Sequence, residues 1–329
     1  MIMAHSPPLI EAIDVSKRFP APRSLGDWFK GRRPQVSAAE GVNLKIARGE
    51  SVGLLGESGC GKTTMGRMLL DLIRPTSGRL LFDGTDLSLW RGRERLQFRR
   101  RAQFVFQNPF DALNPRFTLH RCLTEPLHHT QTPVHEHAQR LHLALQRAQL
   151  GRLTDLENTY PHELSGGQLQ RVALARALIL SPEFIVADEP VSMLDVSVRA
   201  GILNVLRQVQ AELGLSALYI SHDLTLVRYL CQRTIVMYLG VFVEEAATAD
   251  LIREPLHPYT RALLRAVPST RVNQIREPIP ILGGVPDALH PPSGCRFRDR
   301  CPQANSRCAD EVPLLRDLGG GRRVACHQI

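Results

Sequence analysis

At 329 residues, 43% hydrophobic and 22% charged, the chain can bury a large core and cannot be mostly disordered. Its 41 Lys and Arg against 32 Asp and Glu leave +9, which invites a nucleic-acid or membrane-surface reading, yet aromatic residues make up only 5%, too few for stacking platforms on bases. No stretch approaches 18 uninterrupted apolar residues and the N-terminal MIMAHSPPLIEAIDV has no secretory pattern, so neither a membrane-spanning helix nor export is expected.

Taken in chain order, the first informative segment is SVGLLGESGCGKTTMGRMLL from Ser51. Ser51–Leu55 reads as a short strand and Met65–Ile73 as an apolar helix. Between them, Gly56, Glu57, Ser58, Gly59, Cys60, Gly61, Lys62 and Thr63 satisfy G-x-x-x-x-G-K-[ST] in full, followed by Thr64. Glycines there let successive backbone N–H groups face phosphate oxygens at the positive end of the helix. Lys62 offers a compact charge to the β- and γ-phosphates, and Thr63 a hydroxyl to Mg²⁺. Only Lys17, Lys30, Lys45 and Lys62 are lysines; the other basic residues are Arg, so Lys persists where a planar guanidinium fits poorly.

Further along, Arg91–Arg101 (RGRERLQFRRR) reads as a solvated helix and His135–Leu150 as another helix. Phe184–Ala187 reads as a buried parallel strand that delivers Asp188 and Glu189 at its C-terminal end, where ligands of open α/β sheets bind. Asp188 is placed to hold Mg²⁺ and Glu189 to polarise an attacking water as general base. A further strand, Ala217–Ile220, precedes His222.

Leu164, Ser165, Gly166, Gly167 and Gln168 resemble the LSGGQ signature of ATP-binding-cassette (ABC) ATPases, whose Ser and glycines open a helix toward an anion. The other marks of that family follow in order over about residues 9–267. Phe19 resembles the aromatic that stacks on adenine. Gln107 resembles the Q-loop glutamine that touches Mg²⁺ and water. Ser192–Asp195 resembles the D-loop, and His222 the switch histidine. The resemblance implies an α/β P-loop cassette: a RecA-like core sheet, an antiparallel β subdomain and a helical subdomain over about 108–164. It also implies ATP hydrolysis by Glu189, His222 and Gln107, with Mg²⁺ held by Thr63, Gln107 and Asp188. The signature residues Ser165 to Gln168, with Asp195, would close on a nucleotide held by another subunit.

The segments QNPFDALNPR (from Gln107), DEPVSMLDV (from Asp188) and HPYTRALL (from His257) are similar to those of the peptide-importer branch, with nickel importers nearby. An extended loop between Phe19 and Gly41 fits one of the two ATPase subunits of such importers. Met193, Leu169 and the segment Val241–Val243 depart from the usual residues at their positions. The implied partners are a second, similar ATPase or a second copy, two transmembrane permeases and, indirectly, a peptide-binding protein, with no nucleic acid. The implied location is peripheral, on the cytoplasmic face of the membrane. Nickel or another small solute remains an alternative cargo. Soluble ABC proteins of ribosomes or DNA repair fit less well, since the chain has one cassette and no long inserted coiled coil.

Residues 268–329 read as a separate extension, in which a Pro-rich segment, Pro278–Pro292, separates the cysteines from the cassette. Cys295, Cys301, Cys308 and Cys326 lie at intervals unlike the paired C-x2-C of common zinc sites. The extension is similar to that of peptide-importer ATPases, some of which hold a four-iron, four-sulfur cluster; the expectation here is such a cluster, with zinc or no metal as alternatives. Cys60, Cys122 and Cys231 read as ordinary thiols.

Overall fold

Val, Ile, Leu and Ala crowd the segments Ser51–Leu55, Phe184–Asp188 and Ser216–Ser221, and each is buried along its whole length, as strands covered on both faces require. The computed structural model describes residues 7–21, 34–151, 153, 155–266, 281–284 and 286–329.

The strands are β1 (Ile10–Pro20), β2 (Gln35–Ile46), β3 (Ser51–Leu55), β4 (Ser77–Phe82), β5 (Thr85–Asp86), β6 (Ala102–Val105), β7 (Phe184–Asp188), β8 (Ser216–Ser221), β9 (Arg233–Tyr238), β10 (Val241–Ala247), β11 (Arg316–Asp317) and β12 (Arg323–Val324). The helices are α1 (Lys62–Leu69), α2 (Gly92–Arg101), α3 (Leu119–His129), α4 (Val134–Arg147), α5 (Gly166–Leu178), α6 (Val196–Leu213), α7 (Leu224–Leu230), α8 (Thr248–Arg253), α9 (Pro258–Ala266) and α10 (Ser306–Asp310). None is long and apolar enough to cross a membrane.

The chain divides into two compact units. One comprises Met1–Leu9, Ile46–Ser51 and Asp83–Ile220. Here β6, β7 and β8 run parallel, Phe184 pairing with Ala102 on one side and Ser216 on the other. Leu119, Leu123 and Leu127 recur at four-residue spacing on α3 and bury one stripe against Ala144, Val172 and Ile179. Leu169, a departure from the usual basic residue after the signature, belongs to that apolar core at 3% exposure. Arg48 and Arg101 bridge Asp83 and Glu183, with Arg101 donating to both carboxylates.

The other unit comprises Ile10–Lys45, Val52–Phe82 and Ser221–Ile329. Its first sheet sets β1 between β2 and β4, antiparallel to β4 and bulged between Ile13 and Ser16. Its second sheet runs β11, β12, β10, β9, β3, with β9 parallel to β3 and antiparallel to β10. The Cys-bearing extension is thus part of a sheet: Glu244 of β10 pairs with Val324, and Ala325 N–H donates to Val243 O at 2.8 Å. Arg322 adds an ion pair to Glu254 at 3.0 Å.

α1 stops at Leu69, short of the expected Ile73, because Asp71 takes a left-handed turn (φ 51°) ahead of Pro75. The other helices and strands expected from periodicity form within a few residues of the stated ends. The expected cassette–extension boundary at 267/268, the start of the Pro-rich segment and most of the Phe19–Gly41 loop lie outside the described residues.

Candidate functional site

In the second unit, β3 ends at Leu55 and α1 begins at Lys62, so residues 56–61 form the connecting loop. Gly61 has φ +108°, and a Cβ on it would stand 1.9 Å from Ala38 O; a Cβ on Gly56 would stand 2.3 Å from Met237 O. Only glycine fits between these backbones, which is why the motif demands it. The Lys62 side chain is buried, and its ammonium donates to the carbonyls of Gly56 and Glu57 at 2.8 Å each. These are uncharged acceptors, so among the described residues the buried cation has no anionic partner and is poised to exchange the carbonyls for phosphate oxygens. Burial pushes the Cys60 thiol pKa up, partly offset by Lys62. Ser58 and Gly59 are exposed, and Thr63 and Thr64 half-buried.

Phe19 lies at the end of β1, 37% exposed, with Lys17 Nζ 5.0 Å from its ring centroid. That ammonium also donates to Arg74 O at 2.8 Å. His222 is exposed just beyond β8, where Ser221 Oγ accepts from Asp223 N–H at 2.8 Å and Asp223 caps α7.

The first unit carries the carboxylates and the signature. Asp188 closes β7 at 6% exposure. Glu189 then takes a left-handed backbone (φ 45°), held by its N–H donating to Ile220 O at 2.8 Å and by Ser192 Oγ donating to its carbonyl at 3.1 Å. A non-glycine residue in that region is strained, and such strain persists where surrounding bonds over-determine it. Gln107 Nε2 donates to Glu189 Oε2 at 3.2 Å.

Ser165 caps α5: its Oγ accepts from Gln168 N–H at 3.4 Å and its own N–H donates to Gln168 Oε1 at 3.0 Å, a reciprocal box. Ser165, Gly166 and Gln168 are exposed at this N-terminus. Asp195 opens α6 and is exposed, flanked by Met193 at 65% and Val196 at 80% exposure.

The four tail cysteines are free; three are buried and Cys295 is half-buried, its N–H donating to Cys308 O at 2.8 Å. Burial raises the Cys295 thiol pKa to about 11 and those of Cys301 and Cys326 in the same direction, each neighbouring thiol adding to the rise. A metal needs thiolates. Among the described residues no group of three or more His, Cys, Asp or Glu is arranged to hold a metal ion, and nothing else in the structure supports the expected cluster.

Residues with no role assigned from sequence complete the phosphate-loop surroundings. Tyr259 Oη accepts from Glu57 N–H at 2.8 Å, and Arg300 grips the Glu57 carboxylate with Nη1 at 2.7 Å and Nη2 at 3.0 Å. His257 Nδ1 accepts from Tyr259 N–H at 3.0 Å, and Glu244 accepts the N–H groups of Leu256 and His257. The HPYT run was a visible signal for Tyr259 and His257; Arg300 carried none beyond its place beside Cys301.

Residues 39–192 match the family model described as ABC transporter, and residues 243–308 that described as oligopeptide/dipeptide transporter, C-terminal region. The oligopeptide transport ATP-binding protein AppF of Bacillus subtilis is 42% identical over 331 residues, covering 99% of each chain. A Brucella ovis protein named for peptide import and ATP binding is 48% identical over 305 residues, 92% of this chain and 96% of that one. Among solved structures, a dimeric ATP-binding cassette in a post-hydrolysis state with ADP and Pi matches 73% of this chain and 98% of its own at TM-score 0.62 and 30% identity. The cbiO1 cassette of Clostridium perfringens, part of the cbiONQ transporter complex, matches 75% and 92% at TM-score 0.63 and 26% identity.

Proposed function

This chain belongs to the ATP-binding subunits of peptide-import ABC transporters, and from that membership we propose how its residues divide the work. The protein is an ATPase coupled to transport. In the proposed site, the loop from Gly56 to Thr64 cradles the triphosphate, and Phe19 stacks on adenine once Lys17 moves off its ring. Lys62 turns from its two carbonyls to the β- and γ-phosphates.

Thr63, Asp188 and Gln107 would supply the oxygen donors that Mg²⁺ prefers, and the cation would serve to neutralise phosphate charge. Glu189 takes a proton from the attacking water, Gln107 orients its carboxylate, and His222 completes the hydrogen bonding of that water. The observation that carries this reading is the Gln107–Glu189 hydrogen bond at 3.2 Å on a strained, over-determined backbone.

Ser165 to Gln168 and Asp195 would meet a nucleotide held by a second cassette, either a similar ATPase or another copy. The exposed Met193 and Val196 support such pairing, since large apolar side chains beside an anion-binding helix end need a cover. Two permease subunits in the membrane and a peptide-binding protein complete the proposed importer, with this subunit peripheral on the cytoplasmic face. Residues 1–267 would serve as the cassette, with 108–164 as its helical subdomain, and 268–329 as the extension. No step is routed through a metal at Cys295, Cys301, Cys308 or Cys326, because the thiols do not form a ligand group as placed.

The decisive test is Glu189→Gln: turnover falls by about 10²-fold or more while MgATP stays bound in paired cassettes. Hydrolysis at the parent rate removes Glu189 from the role of base.

A further inference from the structure

Glu57 is an odd residue to find in a loop built for a triphosphate. It is the second residue of the loop, and like charges repel strongly where water is partly excluded. The neighbouring residues answer that charge. Arg300, in the short turn Arg298–Arg300 of the C-terminal extension, is 6% exposed and donates two parallel hydrogen bonds to the two Glu57 oxygens, at 2.7 and 3.0 Å. A fork of this kind fixes direction as well as charge.

The turn is itself held firmly. Phe297 wedges against Tyr238 and Tyr259, with ring centroids at 5.3 and 5.4 Å, and Leu282 N–H donates to Arg300 O at 3.0 Å. Arg300 Nη1 also donates to Tyr238 Oη at 3.4 Å. Glu57 is thereby tied at every polar group it owns. Its N–H goes to Tyr259, its carbonyl accepts from Lys62 Nζ and Cys60 N–H, and both carboxylate oxygens go to Arg300.

We propose that Arg300 is a positioning residue of the phosphate loop: from the C-terminal extension it neutralises and holds Glu57, so that the loop presents N–H groups and Lys62, and no free carboxylate, to the triphosphate. The proposal rests on the nucleotide-binding reading above and adds that the extension takes part in it. It differs from a purely structural tether in the sign of one interaction. If Arg300 only fastened the extension through Glu57, the single change would already cut that tether, and removing Glu57 as well would recover nothing. If Arg300 silences a repulsive charge, removing that charge repairs the loss.

The test uses the full chain and the fluorescent nucleotide TNP-ATP with Mg²⁺. Arg300→Met weakens binding about tenfold, and the double variant Glu57→Gln/Arg300→Met recovers most of that loss. Arg300→Lys keeps the cation without the fork and loses about threefold, a milder change that guards against a misfolded Met variant. Thermal melting of each variant separates folding from affinity. Binding by Arg300→Met within twofold of the parent overturns the proposal, as does a double variant as weak as the single one. A parent chain that fails to bind TNP-ATP instead defeats the nucleotide reading itself.

Discussion

Gln107 Nε2 lies 3.2 Å from Glu189 Oε2, joining the residue just beyond β6 to the one just beyond β7 across a parallel pair of strands. Parallel pairing places both strand ends on one edge, so two residues far apart in sequence come within reach of each other's side-chain tips there. The bond aims one oxygen of a carboxylate whose backbone is already fixed in the left-handed region.

Gln107→Ala therefore releases the carboxylate without removing it. The expected outcome is a kcat lower by about tenfold with a smaller rise in KM for ATP, since a misplaced base costs rate and the loss of one of the three proposed Mg²⁺ donors costs some binding. Steady-state kinetics read both constants. A rise in KM at constant kcat would instead assign Gln107 to nucleotide binding alone.

Lys62→Arg keeps the charge and changes the shape. The buried ammonium reaches two carbonyls 2.8 Å away in a space closed by Gly56 and Cys60. A guanidinium is planar, larger and unable to occupy that point. ATPase activity is expected to fall by about 10²-fold, in a chain where 37 of the 41 basic residues are already Arg. Retained activity would show that this position needs only a positive charge.

The phosphate loop, the carboxylate pair and the signature were legible in sequence because each is local: a run of residues joins two regular elements, and the spacing alone sets the chemistry. The strands β3, β7 and β8 were legible for the same reason, being short apolar runs. The Arg300–Glu57 pair was not, since it spans 243 positions and depends on how the extension joins β10 through β12. Leu169 looked like a departure from a basic position, and the packing of α3, α4 and α5 explains it, because that side chain faces their shared core. The tail cysteines were visible as four thiols in one segment, but spacing carries no information about where buried thiols point, and among the described residues no metal-holding group supports the expected cluster.

The two signature glycines are expected to respond differently to alanine. A Cβ on Gly167 would stand 2.5 Å from Val198 Cγ1, so Gly167→Ala forces α5 and α6 apart and costs about 1–3 kcal/mol. On Gly166 it would meet only Leu194 Cδ2 at an ordinary 3.6 Å. Nothing in the fold demands glycine at 166, so a requirement there comes from whatever approaches the exposed helix end. Gly166→Ala should thus melt within about 2 °C of the parent yet lose at least about tenfold in ATPase activity. Thermal melts beside hydrolysis assays decide it: full activity in Gly166→Ala would mean that nothing docks closely on the signature.

His257 supplies a pH dependence of stability. It is 2% exposed, and burial, aided by Arg261, pushes its pKa from 6.5 down to about 3. Its Nδ1 accepts from Tyr259 N–H, so the folded state needs the neutral ring. Between the two values the unfolded chain binds a proton that the folded chain refuses. Stability from this group is therefore complete above pH 6.5 and declines as pH falls toward 3. From pH 7 to pH 5 the loss is about 2 kcal/mol. Asn at 257 can accept the same N–H through Oδ1 and cannot titrate. Urea unfolding of His257→Asn at pH 7 and pH 5 should show a decline smaller than the parent's by about that amount, whatever the variant's absolute stability. An equal decline in both proteins would place the acid sensitivity between pH 7 and pH 5 elsewhere, and not in Asp83 or Glu183, whose pKa values Arg101 holds down and whose contribution is lost only at lower pH.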